Sequence, residues 1–340
     1  MNPELSTIIA DELSISKKSV AATLKLLDEG CTIPFISRYR KEATGALDEV
    51  AVHNIQLRYD ALLALEKRKD TILETIREQD KLTPELKKKI IDTYDATLLE
   101  DLYMPYKPRR RTRAQMAVEK GLEPLARMLM AQTSADVESP ACRFTGGEVA
   151  DVSDAVAGAA DIMAEWMSES EKARSIVRAR YNRNAVISAK VVKGKEKEGA
   201  NYENYFEFSS PLRTVTSHRL LAILRGEAEG FLKVSVSIDD NEMIERLSRM
   251  FVRTTASEPV AALIRSTVKD SYRRLIKPSI ETEVLAVAKS KADDAAISMF
   301  AENVRQLLLA PPLGRKRVLA IDPGFRTGCK VVCLDEQGNL

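Results

Sequence analysis

Cysteine, histidine and aromatic residues are scarce in this sequence. Its 340 residues include four cysteines, two histidines and one tryptophan. So few cysteines argue against a disulfide scaffold and indicate a reducing compartment. His53 and His218 are isolated, and Cys329 and Cys333 lie about 13 Å apart on a predicted strand, which is too far for one zinc ion. We therefore expect no metal ion and no cofactor.

Long apolar runs and a strong net charge are also missing. No apolar stretch approaches the ~20 residues of a membrane span, and the start MNPELSTII lacks the features of a signal peptide. The net charge is only +2, from 52 basic and 50 acidic residues. We expect a cytoplasmic, monomeric protein without membrane contact, whose attraction to nucleic acid would depend on local basic patches.

Helical periodicity dominates the first 310 residues. Residues 3–30 form an outline of two short helices, with Ser16 as N-cap of the second and Gly30 as its stop. This outline fits either a DNA-reading helix-turn-helix or a hairpin that merely packs two helices. The second possibility is favoured, because positive charge near the second helix is limited to Lys17, Lys18 and Lys25.

Further helices are predicted along the chain. Asp48 caps an amphipathic stretch that reaches about Gln79, a rod of roughly 45 Å. Helices then continue from Pro84 to about Ala131, interrupted by the prolines of YMPYKPRRRTR. A loop follows around TSADVESPACRFTGG, and helices restart at Ser153 and near Ser170.

A change of pattern at Asn184 indicates a small sheet. The segments AVISAKVV, NYFEFS and FLKVSVSID are predicted strands, with a helix between the second and the third. The chain is predicted to be helical again from Ser257 to Leu309. We expect a mainly α multi-domain scaffold, divided into a helical region (1–183), an α+β insert with central helices (184–310) and the start of a new domain (317–340).

The last segment, VLAIDPGFRTG, is a buried-looking strand that ends on Asp322. Paired with Cys329–Asp335 in an antiparallel hairpin, it would place Asp322 and Asp335 roughly 15 Å apart, too far for a two-metal site. The turn also lacks the Gly-Lys-Ser/Thr ending of a P-loop. Because two strands are marginal alone, we expect the chain to stop inside a domain of a longer protein.

Basic residues cluster in three stretches around tyrosines, and in one of them, the basic loop, arginines could bind phosphates while nearby rings stack on unpaired bases. Alternatively, each is a solvated face whose cations pair with neighbouring carboxylates, and only convergence of the stretches would be informative. The basic loop carries Lys107, Arg109, Arg110, Arg111 and Arg113 beside Tyr103 and Tyr106. The other two stretches carry Arg38, Arg40 and Lys41 around Tyr39, and Lys269, Arg273, Arg274 and Lys277 around Tyr272.

Four segments together resemble the bacterial Tex family of transcription accessory proteins. They are TIPFISRYRKEATGALDE, LYMPYKPRRRTRAQMAVEKGLEPLA, SHRLLAILRGE and RVLAIDPGFRTGCKVV. The resemblance implies a helical scaffold with a helix-turn-helix-like start, followed by a YqgF domain of RNase H-like α/β fold. Helix-hairpin-helix elements and an OB-fold domain, usually credited with nucleic-acid binding, would follow beyond these residues.

The resemblance also implies a role for the final hairpin. AIDPG matches the first strand of resolvase-like folds, with Asp322 at the position of the first catalytic aspartate, but Tex proteins are regarded as non-nucleolytic. We therefore expect a non-catalytic RNA- or DNA-binding scaffold with the transcription machinery as a candidate partner, and Asp322 as an inherited site residue. The alternatives are a nuclease of Holliday-junction-resolvase type and a helix-turn-helix DNA-binding regulator.

Overall fold

The structure is a computed structural model that describes residues 3–107, 111–324 and 328–340. Helices predominate in it, and two small antiparallel sheets complete the secondary structure of the described residues. The predicted mainly helical fold is therefore confirmed.

The chain divides into two compact units, each assembled from two stretches of sequence. Unit 1 consists of Met1–Arg180 with Asp239–Ile280, and unit 2 of Tyr181–Ile238 with Glu281–Leu340. The division into three regions that the sequence suggests stays a prediction.

The N-terminal part of unit 1 is organised around one long helix. Its helices are α1 (Pro3–Leu13), α2 (Lys17–Asp28), α3 (Ile33–Tyr39), α4 (Lys41–Thr44) and α5 (Glu49–Glu78). The predicted caps are present: Ser16 accepts a hydrogen bond from the Ser19 N–H, and Asp48 accepts one from the Ala51 N–H. These side chains satisfy backbone donors that the first helical turn leaves without partners.

Helix α5 carries two successive apolar clusters. The first contains buried side chains of α1, α2 and α5: Leu5, Ile9, Ala10, Val20, Leu24, Ile55 and Leu62. The second joins α5 to the residues that follow it: Leu65, Ile72, Ile76, Ile90, Leu99 and Tyr103. The apolar periodicity of α5 thus works as predicted, because one face of the helix supports both clusters.

A buried lysine lies on the same face of α5. The Lys69 ammonium group donates hydrogen bonds to Glu66 Oε1 (2.8 Å) and to the Ile91 carbonyl (2.7 Å). It also lies 3.8 Å from the centre of the Tyr94 ring. These partners compensate for the loss of hydration that burial imposes on a charge.

The remaining helices of the N-terminal stretch include three that begin near the predicted starts at Pro84, Ser153 and Ser170. In chain order, the remaining helices are α6 (Pro84–Asp92), α7 (Ala96–Tyr103), α8 (Arg113–Glu119), α9 (Glu123–Ala131), α10 (Glu138–Ala141), α11 (Val152–Glu169) and α12 (Glu171–Asn184). Thr83 caps α6, and α11 packs on α8 and α9. The short α10 lies within a segment predicted to be a loop.

Unit 2 contains the predicted three-stranded sheet. Its elements are β1 (Val186–Val191), β2 (Glu207–Pro211), α13 (Ser217–Ala228) and β3 (Leu232–Ser237), and the antiparallel strand order is β2-β1-β3. The second strand begins later than predicted, because Asn204 and Tyr205 belong to a 3₁₀ helix over Ala200–Tyr205.

The second stretch of unit 1 begins with a helix that was not predicted from the sequence. This helix, α14 (Asp240–Phe251), has the N-cap Asp239, which accepts hydrogen bonds from the N–H groups of Asn241 and Glu242. Helix α15 (Glu258–Asp270) then continues through a π-helical segment, Ser271–Ile276, into α16 (Lys277–Leu308).

The final hairpin forms as predicted, but its apolar side chains are not buried. Strands β4 (Val318–Gly324) and β5 (Gly328–Leu334) pair in antiparallel register, with Asp322 opposite Lys330. Leu319, Ile321 and Val331 are each more than half exposed. The expectation of a buried strand is therefore wrong for the described chain.

Candidate nucleic-acid interface

The basic loop follows a 3₁₀ turn, Met104–Tyr106, and ends at the N-terminus of α8. Lys107, Arg111 and Arg113 are exposed, whereas Arg109 and Arg110 lie outside the described residues. Thr112 caps α8 by accepting a hydrogen bond from the Gln115 N–H, and its hydroxyl donates one to Glu165 Oε2 (3.0 Å). The end of the loop is thereby attached to α11.

Carboxylates lie beside part of this loop. Arg111 pairs with Glu119 at 2.5 Å. A cavity of about 330 Å³ beside Lys107 is also lined by Glu165 and Glu169. Tyr103 is buried, so the expectation that it could stack on a base is wrong. Arg111 therefore fits the alternative interpretation, in which the cations of the loop pair with neighbouring carboxylates.

The third basic stretch is shaped by the π-helical segment. A π turn closes between residues five apart, so residues four apart no longer repeat along one face. Lys269 and Arg273 are exposed, but Tyr272 is fully buried and its hydroxyl donates to Asp240 Oδ1 (2.9 Å). The helix is therefore not a regular α-helix through this stretch, and the Tyr272 ring is not available at the surface.

Two cations of this stretch are held by carboxylates. The Lys277 ammonium group donates to both oxygens of Asp240, at 2.7 and 2.9 Å. Arg274 pairs with Asp270 (2.6 Å) and with Asp161 (3.0 Å). These contacts fix the junction between α15 and α16 rather than presenting a free cationic stripe.

The structure brings the basic loop and the third stretch together around Asp161. Burial raises the pKa of this carboxyl, while the charges of Arg274 and then Arg113 act to lower it. One cation from each stretch thus acts on the same half-buried acid. A carboxylate thus lies near one cation of each of these two stretches, and convergence of all three stretches stays a prediction.

The electrostatics of Asp240 give a pH prediction. Burial acts to raise the pKa of Asp240, but hydrogen bonds from Lys277 and Tyr272 outweigh it and hold the pKa below the ordinary 3.8. A carboxyl with a lowered folded-state pKa stabilises the fold above its unfolded-state pKa, and that stability disappears as pH falls through the folded-state value. We expect Asp240→Asn to destabilise unit 1 near neutral pH, by an amount that shrinks below about pH 4.

The measurement is urea unfolding followed by the fluorescence of Trp166, which lies on α11 in unit 1. Asp239→Asn is the matched control, because asparagine is an equally good N-cap and the substitution removes the same charge. A stability difference between wild type and Asp240→Asn that does not change with pH would contradict the role of the carboxylate charge.

The remaining basic stretch forms a surface with different properties, the α3–α4 surface, made of Phe35, Arg38, Tyr39, Arg40 and Lys41. The rings of Phe35 and Tyr39 lie 5.4 Å apart between centres, and the Arg40 guanidinium lies 5.2 Å from the centre of the Phe35 ring. Tyr39 is 69% exposed. Among the described residues, neither Arg38, Arg40 nor Lys41 forms an ion pair.

Local sequence fixes the backbone of this surface. Pro34 lies in the first turn of α3, where its missing N–H costs nothing. Gly45 ends α4 in the left-handed conformation, with φ of 74°. A Cβ at Gly45 would also lie 2.8 Å from Ser19 Oγ on α2, so glycine is required for both reasons.

The first two helices form the predicted hairpin, joined by Ser14, Ile15 and Ser16. Lys17 and Lys18 are exposed, and Lys25 lies 3.9 Å from Glu29. The apolar side chains that α1 and α2 bury belong to the first apolar cluster. The helical hairpin is thus confirmed, while DNA reading by it stays a prediction.

Asp322 is an exposed residue on β4, with an oxygen 3.9 Å from the Lys330 ammonium nitrogen. Across the described ranges, no three histidine, cysteine or acidic side chains are grouped so that they could hold a metal ion. No helix in the described part of the chain is long and apolar enough to cross a membrane.

Two family models match the sequence. The model of the Tex-like protein N-terminal domain matches residues 3–77, which include the α3–α4 surface. The model described as Tex central region-like matches residues 132–300, which include the three-stranded sheet and the π-helical segment. The two matches follow each other in chain order.

Complete proteins are similar over almost the whole chain. The transcriptional accessory protein Tex of Neisseria gonorrhoeae is 39% identical over 340 residues, covering 99% of this chain and 45% of the relative. An uncharacterized protein of Neisseria meningitidis serogroup B is 41% identical, with the same coverage. The human S1 RNA-binding domain-containing protein 1 is 28% identical, covering 100% of this chain and 35% of the relative.

The chain thus spans less than half the length of these relatives, but the similarity extends through both units. The family models and the named relatives agree on one assignment. The chain belongs to the Tex family.

Proposed function

We propose that this chain is part of a cytoplasmic transcription accessory protein and that it binds nucleic acid without catalysing a reaction. The names of its relatives support this proposal, since they include a transcriptional accessory protein and an S1 RNA-binding domain-containing protein. We also propose that the α3–α4 surface provides the contact. The observation that carries this choice is that its three cations have no carboxylate partner among the described residues.

The chemistry of the α3–α4 surface suits a single strand. Arg38, Arg40 and Lys41 can neutralise backbone phosphates, and the exposed Tyr39 ring offers a face for an unpaired base. A duplex would hide its bases from this ring. The basic loop from Lys107 to Arg113 is a second proposed contact, while the stretch from Lys269 to Lys277 contributes through Lys269 and Arg273.

The final hairpin belongs to the non-catalytic part of the proposal. We propose that β4 and β5 are the first hairpin of an RNase H-like YqgF domain, with Asp322 as an inherited residue. Nuclease chemistry of this type needs grouped carboxylates that hold metal ions about 4 Å apart. Magnesium-dependent cleavage of a branched duplex that is lost in Asp322→Asn would contradict this part.

The test is a salt titration of binding to single-stranded RNA, single-stranded DNA and duplex DNA. Each phosphate contact on a single strand contributes about 0.7 to the slope of log affinity against log salt. Replacing Arg38, Arg40 and Lys41 by alanine is therefore expected to lower the slope for single strands by about 2, and the affinity by about tenfold to 100-fold near 0.1 M salt.

Matched variants show whether position or only charge matters. Lys87, Lys88 and Lys89 are exposed on α6, and replacing all three by alanine changes the net charge by the same amount. An equal loss in this control would contradict a contact at the α3–α4 surface. A variant with Arg109, Arg110 and Arg111 replaced by alanine measures the contribution of the basic loop. The proposal would be overturned if the wild-type chain bound none of the three nucleic acids.

A further inference from the structure

Unit 2 contains a groove that the proposed function does not use. It has a volume of about 410 Å³ and lies between the last turn of α12, the β2–α13 connection and α16. This volume falls in the range of roughly 300–1,000 Å³ that is typical of ligand sites. Apolar side chains line part of the groove, including Leu212, Val215, Val284 and Val287.

The charge of the groove has one sign. Arg213 and Lys291 line it, together with the uncharged polar residues Asn182 and Ser217, and no carboxylate is among its lining residues. Neither cation forms an ion pair or a side-chain hydrogen bond with another described residue. The basic loop of unit 1 differs, because its cavity includes glutamates. The groove therefore complements an anion that also carries apolar surface.

The wall formed by the β2–α13 connection is held by its own backbone. The Leu212 N–H donates to the Ala185 carbonyl (2.8 Å), and the N–H groups of Thr214 and Val215 donate to the Pro211 carbonyl at 3.0 and 3.2 Å. The Thr214 hydroxyl donates to the same carbonyl (3.2 Å). A wall with these bonds needs little ordering when a ligand binds, which favours affinity.

We propose that this groove binds a short acidic peptide segment with one large apolar side chain. The apolar side chain lies against Val215, Val284 and Val287, and carboxylates on either side of it meet Arg213 and Lys291. The attraction between Arg213 and Lys291 and these carboxylates fixes the register of the segment, and the same two cations repel basic sequences.

The lining disfavours nucleic acid as the occupant. Base recognition on a protein surface depends on exposed aromatic faces. The one aromatic residue that lines the groove, Tyr181, is 1% exposed, and its hydroxyl donates to Glu281 Oε1 (3.0 Å). The apolar surface is aliphatic and suits a leucine or phenylalanine side chain better than a stacked base.

The test is fluorescence anisotropy with the whole chain and a labelled ten-residue peptide that has glutamates on both sides of one leucine. Saturable binding is expected, about tenfold weaker when alanine replaces the leucine and lost when lysines replace the glutamates. The variant with both Arg213→Glu and Lys291→Glu is expected to bind the peptide about tenfold more weakly than wild type. The same loss is expected for Val287→Asp.

The matched control reverses two other exposed charges of unit 2, Lys193→Glu and Lys197→Glu, in the connection after β1. Its affinity for the peptide is expected to stay within about twofold of wild type. An equal loss in this control, or the absence of saturable binding by the wild-type chain, would overturn the proposal. The groove would be a phosphate site instead if single-stranded RNA displaced the peptide and if the variant with Arg213→Glu and Lys291→Glu also bound that RNA more weakly. This result would overturn the proposal too.

Discussion

Replacement of Asp101 by alanine is expected to lower the free energy of unfolding of unit 1 by about 3–5 kcal/mol. Asp101 lies on α7 with 3% of its side chain exposed, between two arginines of α12. Arg174 Nε donates to Oδ1 at 2.7 Å, and Arg178 Nη2 donates to the same oxygen at 3.1 Å. Removing the acid would leave two buried or half-buried positive charges together.

The second carboxylate oxygen of Asp101 is less well paired than the first. Oδ2 lies 2.9 Å from Arg178 Nη2 but outside hydrogen-bond geometry, and it is buried. Arg174 is positioned further by a hydrogen bond from its Nη2 to Ser279 Oγ (3.1 Å). The cluster therefore joins α7 to α12 and to the first turn of α16, which are distant in sequence.

The measurement is urea unfolding followed by Trp166 fluorescence, since this tryptophan lies in unit 1. A variant that replaces Asp101 with leucine and both arginines with methionine serves as the control. It removes the charges together, so most of the stability is expected to return. A loss below about 1 kcal/mol for the alanine variant would show that the charges find other partners. A triple variant less stable than the single one would contradict the desolvation argument.

Replacement of Tyr39 by alanine is expected to weaken the binding of single-stranded nucleic acid by about 1–3 kcal/mol, because one base loses its stacking partner. Binding to duplex DNA is expected to change little, since paired bases do not reach the ring. The salt dependence is also expected to stay as in wild type, because no charge is removed. This combination separates the ring from the cations of the α3–α4 surface.

Two variants control this prediction. Tyr39→Phe keeps the ring and is expected to bind as wild type does. Leu57→Ala removes an apolar side chain that is 55% exposed on α5 and lies outside the proposed contact. Stacking would be contradicted if Tyr39→Ala lowered the affinity for single strands and for duplex DNA equally. It would also be contradicted if Leu57→Ala lowered the affinity for single strands as much as Tyr39→Ala does.

Local features of the fold could be predicted from the sequence because they depend on neighbouring residues. Ser16, Asp48 and Thr83 satisfy donors within three residues, so the starts of three helices follow from short motifs. The same reasoning could have found α14, since Asp239 precedes an acidic first turn with buried Met243 and Leu247 four residues apart.

Long-range contacts could not be predicted in this way. Tyr272 looks like an exposed member of a basic stretch until its partner Asp240, 32 positions earlier, is placed beside it. The bond between Asp101 and Arg174 spans 73 positions. For the same reason, the sequence did not show that Arg274 and Lys277 pair with Asp161 and Asp240, which lie far away in sequence.

The exposed hairpin also determines which backbone groups the chain offers to a further strand. In the described residues β4 pairs with β5 alone, so each strand keeps an outer edge whose backbone donors and acceptors have no partner strand. Asp322 and Lys330 carry opposite charges across the ribbon, so they place no like-charge barrier there. A ribbon of this kind is a template for strand addition.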